Sequence, residues 1–151
     1  MRISKHVSYY EATKSNTAIK FGIKNNPSNQ QLQNMKLIAE KIFEPLRNNF
    51  NCPIGISSFF RSQQLNDKIG GATKSQHCKG EAMDLDADIF GKISNKEIFD
   101  YIKNNLDFDQ LIWEFGDNNN PNWVHVSYCS SNRKEILKVY RKNGKSIYEK
   151  L

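Results

Sequence analysis

His77 and Asp84 stand seven positions apart in Ser75-Gln76-His77-Cys78-Lys79-Gly80-Glu81-Ala82-Met83-Asp84, and His125 lies downstream in Trp123-Val124-His125-Val126-Ser127. Two imidazoles and one carboxylate form a three-donor zinc set that leaves a coordination position open. Zinc in such a set brings the pKa of water towards neutrality and polarises a scissile carbonyl. Hydrolysis then needs a second carboxylate to take a proton and return it to the leaving amine, and Glu114 is the candidate. Arg61 could bind a substrate carboxylate or steady an oxyanion. Each residue also has a plainer reading. A histidine can be a hydrogen-bonded structural residue, Asp84 a turn cap, Arg61 a surface ion-pair partner and Glu114 an edge-strand charge.

Neighbouring donors fit less well. On an extended chain Cys78 and His77 point in opposite directions, so both binding one metal is awkward. Asp84-Leu85-Asp86-Ala87-Asp88 begins like a calcium loop, but Ile89 and Asn95 stand where glycine and glutamate are required. Cys52, Cys78 and Cys129 form no CxxC pair, which favours reduced thiols over a disulfide framework.

Alternating patterns predict the strands that carry these groups. Over 81–88, Ala82, Asp84 and Asp86 share one face and Met83, Leu85 and Ala87 the other. Over 110–115, Gln110, Ile112 and Glu114 oppose Leu111, Trp113 and Phe115. Over 123–128, His125 shares a face with Trp123 and Ser127. A hairpin closing Phe115 on Asn122 sets Glu114 opposite Trp123 and diagonal to His125 on the same face; a one-residue slip would undo this.

The helices are equally patterned. Ser8 starts a short helix to about Lys14, ahead of a turn at Asn25-Asn26-Pro27; Tyr9, Tyr10, Ile19, Phe21 and Ile23 are the anchors expected there. Ser28 and Gln31 form a capping box for a long amphipathic helix bearing Leu32, Met35, Ile38, Ala39, Ile42, Phe43 and Leu46. Pro45 is expected to kink that helix or end it early. A strand over 54–59, a helix over 63–68 capped by Ser62, and a helix from Ser94 to about Asn105 follow. A closing hairpin turns at Asn143-Gly144. His6 is expected at the surface, with no partner near it in the sequence. The expected fold is α+β: one domain over 1–151 with a central antiparallel sheet, helices on one face and the zinc site on the other.

The 151 residues suffice for a real core, and no apolar run is long enough for a membrane span. The N-terminus has no apolar stretch of the kind a signal peptide needs, so synthesis in the cytoplasm is expected. The net charge of +6 suits an anionic partner, but the lysines are scattered and a solvated basic surface accounts for them. Nucleic-acid binding would rest on that charge alone, and none is expected.

The run Ile56-Ser57-Ser58-Phe59-Phe60-Arg61-Ser62, then Asn66, Gly70-Gly71-Ala72, Ser75-Gln76-His77, Gly80, Ala82, Asp84 and Trp123-Val124-His125-Val126-Ser127, resembles the M15 family of zinc peptidases. The nearest likeness is to its D-alanyl-D-alanine carboxypeptidase-like subfamily of bacteria and phage lysis enzymes, over about residues 8 to 130. The resemblance implies a small fold shared with the Hedgehog signalling domain and cleavage of peptide bonds in peptidoglycan. It implies His77, Asp84 and His125 as zinc ligands, Arg61 as the residue contacting substrate or transition state, and Ser75 near the substrate; Trp123 is placed with them. Many members carry the catalytic acid three residues before the last histidine, where this chain has Asn122. The subfamily instead has a glutamate like that of Leu111-Ile112-Trp113-Glu114-Phe115-Gly116, which makes Glu114 the base. The expectation is a monomeric enzyme acting on the cell wall, as a phage-type lysis enzyme or within a virion. The alternative is a zinc-stabilised, catalytically silent module that binds wall peptide or a protein.

Overall fold

The computed structural model describes residues 1–151. Two short strands, β1 (Arg2–Ser4) and β2 (Val7–Ser8), pair at the N-terminus, and Ser8 with Glu11 forms a capping box for α1 (Tyr9–Thr13). A second helix, α2 (Asn16–Phe21), was not expected from the sequence. Of the anticipated anchors, Tyr10, Ile19 and Phe21 are exposed; Ile3, Val7, Ala12 and Ala18 are buried instead. His6 finds its partner in a distant segment. Its Nδ1 lies 2.6 Å from Glu44 Oε1 and its backbone N–H donates to Oε2, tying the first strands to the long helix.

That helix starts at the predicted Ser28–Gln31 box as α3 (Asn29–Ile38), passes through a π turn (Ala39–Phe43) and continues as α4 (Glu44–Phe50). Pro45 does not end it. In a regular helix the proline ring meets the carbonyl four residues back. Here the turn ahead of it is widened, with the Glu44 N–H donating to the Ala39 carbonyl five residues back. Asn51, at φ 50°, closes the helix.

The remaining elements are β3 (Gly55–Ser58), α5 (Gln63–Ile69), β4 (Ala82–Asp86), α6 (Asn95–Asn105), β5 (Gln110–Glu114), β6 (Trp123–Ser127), β7 (Glu135–Lys142) and β8 (Lys145–Lys150). The six strands from β3 onwards form one sheet in the order β3-β4-β6-β5-β7-β8. Met83, Leu85, Leu111, Trp113, Val124 and Val126 project from its back into a core that includes Met35, Ile38, Ile42 and Phe43 of the long helix and Ile98, Phe99 and Ile102 of α6. Helices cover one face of an α+β domain, and the opposite face is free to carry polar groups. No helix is long and apolar enough to cross a membrane.

The sheet is mixed rather than purely antiparallel. β5 and β7 run parallel, with Glu114 paired to Val139. The cause is topological: β4 already occupies the outer edge of β6, so the chain leaving β6 returns past β5 and adds β7 to the free edge there. The β7–β8 hairpin turns at Asn143-Gly144 as expected, both residues having positive φ (51° and 75°), which is the two-residue turn that asparagine and glycine favour.

Candidate metal centre

The register puts the chemistry on one face. Asp84 pairs with His125 across β4 and β6, Ile112 pairs with His125 across β5 and β6, and Glu114 pairs with Trp123. Glu114 is thus diagonal to His125, the arrangement expected from closing Phe115 on Asn122.

His77 comes from a single 3₁₀ turn (Gln76–Lys79) rather than from extended chain. Ser75 Oγ accepts the His77 N–H at 3.2 Å, and Gly80 closes the turn at φ 75°. A Cβ at Gly80 would lie 2.6 Å from the Gln31 carbonyl oxygen and 2.8 Å from Met35 Cγ, so the turn packs against α3 only because that side chain is missing. Gln31 Nε2 and Asn34 Nδ2 of the same helix donate to the carbonyls of Cys78 and Lys79. The turn, not strand alternation, orients Cys78, which is not among the converging donors.

His77 is 1% exposed, and its Nδ1 lies 2.6 Å from the Phe59 carbonyl. The carbonyl can only accept, so Nδ1 carries the hydrogen and Nε2 is left with a free lone pair. Asp84 Oδ1 lies 3.2 Å from that Nε2 and 3.0 Å from His125 Nδ1. The donor atoms of the three residues all lie within 4.8 Å of one another. A tetrahedral zinc ion with bonds of roughly 2.05 Å separates its ligand atoms by about 3.3 Å. The donor types, their spacing and the fixed His77 tautomer therefore fit a zinc-like ion. Burial disfavours the charge on Asp84, yet the two imidazoles outweigh it and hold this carboxyl far below its usual range.

Glu114 is buried and its carboxylate makes no hydrogen bond within the chain. Burial, with some repulsion from Asp84 and partial relief from His125 and Arg61, pushes its pKa up to about 7. Arg61 follows β3. Its backbone N–H donates to the His77 carbonyl, its Nη2 lies 3.4 Å from Ser75 Oγ, and its buried Nε has no partner. Asn25, read from the sequence as part of a turn, brackets this arginine. Its Nδ2 donates to the Phe60 carbonyl and its Oδ1 accepts the Ser62 N–H. Arg61, Ser75, His77, Asp84, Glu114, Trp123 and His125 all line one open cleft of about 1110 Å³.

Other residues are held apart from it. Asp86 and Asp88 are engaged by the buried Asn95, whose Nδ2 donates to Asp86 Oδ1 and Asp88 Oδ2. Asn122 lends only backbone groups, its N–H to the Glu114 carbonyl and its carbonyl to Asn95 Nδ2.

The sequence reading missed Asp109. This buried carboxylate accepts from Gln76 Nε2, next to His77, and from the backbone N–H, Nε and Nη2 of Arg133. It joins the histidine turn to the loop before β7. Hydrogen bonds from the Arg133 side chain outweigh burial and hold Asp109 below the usual carboxylate range. A depressed folded-state pKa contributes stability that is complete above the unfolded value of about 3.9 and lost as pH falls through the lowered value. Because Arg133 is largely solvent-exposed, Asp109→Asn should lower the unfolding free energy by only about 1–2 kcal/mol at pH 7. Urea midpoints of wild type and variant should draw together as the pH falls below about 4; a gap that stays constant into acid would discount the ion pair.

No curated protein matches the chain. Residues 5–127 match the family model described as Peptidase M15. The matched stretch ends with β6, two residues past His125, so every donor of the metal centre falls within it, and the chain belongs to the M15 family of peptidases.

Proposed function

We propose that this peptidase is a zinc enzyme that hydrolyses peptide bonds in bacterial peptidoglycan, either trimming the D-alanyl-D-alanine end of a stem peptide or cutting within stems or cross-links. The observation that carries the reading is Glu114: a buried carboxylate with no partner in the chain, on the sheet face that holds the His77–Asp84–His125 group. Glu114 lines the open cleft, and a carboxylate left without a partner there is free to carry a proton.

His77, Asp84 and His125 would hold the metal. Bound there, zinc supplies a Lewis acid that polarises the scissile carbonyl and lowers the pKa of water. Glu114 takes the proton of the attacking water on its carboxylate and hands it to the leaving amine. Arg61, steadied by Ser75 and with its Nε unsatisfied, donates to the carbonyl oxygen as negative charge develops. Trp123 offers an apolar wall for the substrate side chain.

Action at the wall, as a phage-type lysis enzyme or a virion component, and as a monomer, completes the proposal. The positive net charge would help it stay on an anionic wall polymer. The alternative of a silent binding module gives the buried, unpartnered Glu114 no role. The test is mass spectrometry of purified peptidoglycan after digestion with zinc-loaded protein. Release of D-alanine indicates carboxypeptidase action and release of stem fragments indicates endopeptidase action. Neither product, from protein with a full complement of zinc, rejects the proposal.

A further inference from the structure

The β7–β8 hairpin lies beyond the stretch that matches the family, yet it builds a wall of the cleft. Parallel pairing with β5 continues the face of Ile112 and Glu114 onto Leu137 and Val139, and Tyr148 lies opposite Val139 on β8. Leu137, Arg141 and Tyr148 line the same cleft as the metal donors.

Arg141 is the unusual member. Its guanidinium carbon sits 5.3 Å from the centre of the Phe115 ring, and Phe115 packs on Trp123 with centroids 5.4 Å apart. Phe115 has φ 56°, and its N–H donates to the Val139 carbonyl at 2.9 Å, which fixes the ring at the end of β5. The guanidinium is held on an aromatic face. It has no carboxylate within ion-pairing distance and no hydrogen-bond acceptor in the chain, unlike Arg133, which is paired to Asp109. An arginine pre-placed this way, without an internal anion, is free to take one from a ligand.

Its distance from the chemistry says where that anion lies. Arg141 is two residues beyond Val139, the partner of Glu114. With strands about 4.8 Å apart and a rise of about 3.3 Å per residue, its Cα is about 8 Å from that of Glu114, and further from His125. Arg61 lies on the opposite side, after β3, with β4, β6 and β5 between the two arginines. A peptide crossing the sheet would meet Arg61 near the reacting carbonyl and Arg141 two or three residues away.

Resting on the peptidase reading above, we propose that Arg141 is a specificity-determining residue that binds a substrate carboxylate two or three residues from the scissile bond. Peptides with a free carboxylate there are preferred to those in which it is amidated.

The test uses two stem pentapeptides, identical except that the α-carboxylate of the second residue is free in one and amidated in the other. Zinc-loaded wild type should favour the free acid by about tenfold in kcat/KM, mostly through KM, the size of one charge-assisted pairing at a solvent-exposed site. Arg141→Gln should bring the ratio within twofold. Lys142→Gln, a neighbouring charge on the other face of β7, should leave it at tenfold. The same peptides titrated into metal-free protein, followed by tryptophan fluorescence, give a readout without turnover: Arg141→Gln should remove the acid's advantage in Kd. An unchanged ratio in Arg141→Gln, or equal treatment of both peptides by wild type, overturns the proposal. If wild type cleaves neither peptide but binds the acid more tightly through Arg141, the wall-peptidase reading fails while the carboxylate site stands.

Discussion

Glu114→Gln should lower kcat on peptidoglycan peptides by about 10²–10⁴-fold, the range that a positioned proton carrier contributes. The substitution keeps the side chain's shape and removes only its capacity to accept a proton. Because the carboxylate makes no hydrogen bond in the chain, no internal contact is lost. Replacing a buried ionisable group by a neutral amide also removes a desolvation cost, so the variant should melt no lower than wild type. KM should move little, since the group acts on a proton in flight and not on the resting substrate. Zinc content, measured on the same preparation, should equal that of wild type because Glu114 is not among the converging donors. A variant that retains full zinc and turns over within a few-fold of wild type would remove Glu114 from the chemistry and return the search to another carboxylate.

The placement of Glu114 was legible in the sequence because it depends on alternation and one loop. The polar and apolar phases of 110–115 and 123–128 admit a single register once Phe115 closes on Asn122, and the apolar back of the sheet penalises any slip. Alternation also gave Asp84 its face, shared with Ala82 and Asp86, though not its pairing with His125, and capping residues marked helix starts at Ser28, Ser62 and Ser94.

What stayed hidden depends on contacts between distant segments. No local pattern announces that β7 must join β5 in parallel, because that follows from the β6 edge being taken by β4. The widened turn before Pro45 is a backbone compromise with no side-chain signature. The Phe59 carbonyl that sets the His77 tautomer is a main-chain group, which residue type cannot reveal. Asn25 and Asp109 could have been flagged only as polar residues beside apolar runs; their partners lie 12 to 37 positions away. The same difficulty explains why Arg141, a charge on a hairpin, carried no sequence signal until the parallel pairing brought that hairpin to the cleft.

Saturating zinc should raise the thermal midpoint of the wild-type protein by about 8–16 °C over the chelated protein. A ligand that binds only the folded state stabilises it by about 4 kcal/mol at a thousand times its Kd. For a chain of this length each kcal/mol is worth about 2–4 °C. Asp84 is the decisive position, since its Oδ1 lies between His77 Nε2 and His125 Nδ1. Asp84→Asn keeps the volume and an oxygen acceptor, so the chelated variant should melt within a few degrees of chelated wild type. With the anionic donor gone, zinc affinity should fall by about 100-fold or more, which takes about 2.7 kcal/mol from the stabilisation and leaves a shift of only a few degrees. Acid should erase the wild-type shift as well, because an imidazole ligates only when it is neutral and protons compete with the metal for the same lone pair. Melting curves with and without chelator, together with zinc stoichiometry, decide between two accounts of the same three side chains. A shift that shrinks to a few degrees in Asp84→Asn marks a metal centre. A wild type that takes up no zinc and shows no shift leaves a hydrogen-bonded carboxylate between two histidines, and the hydrolytic reading would go with it.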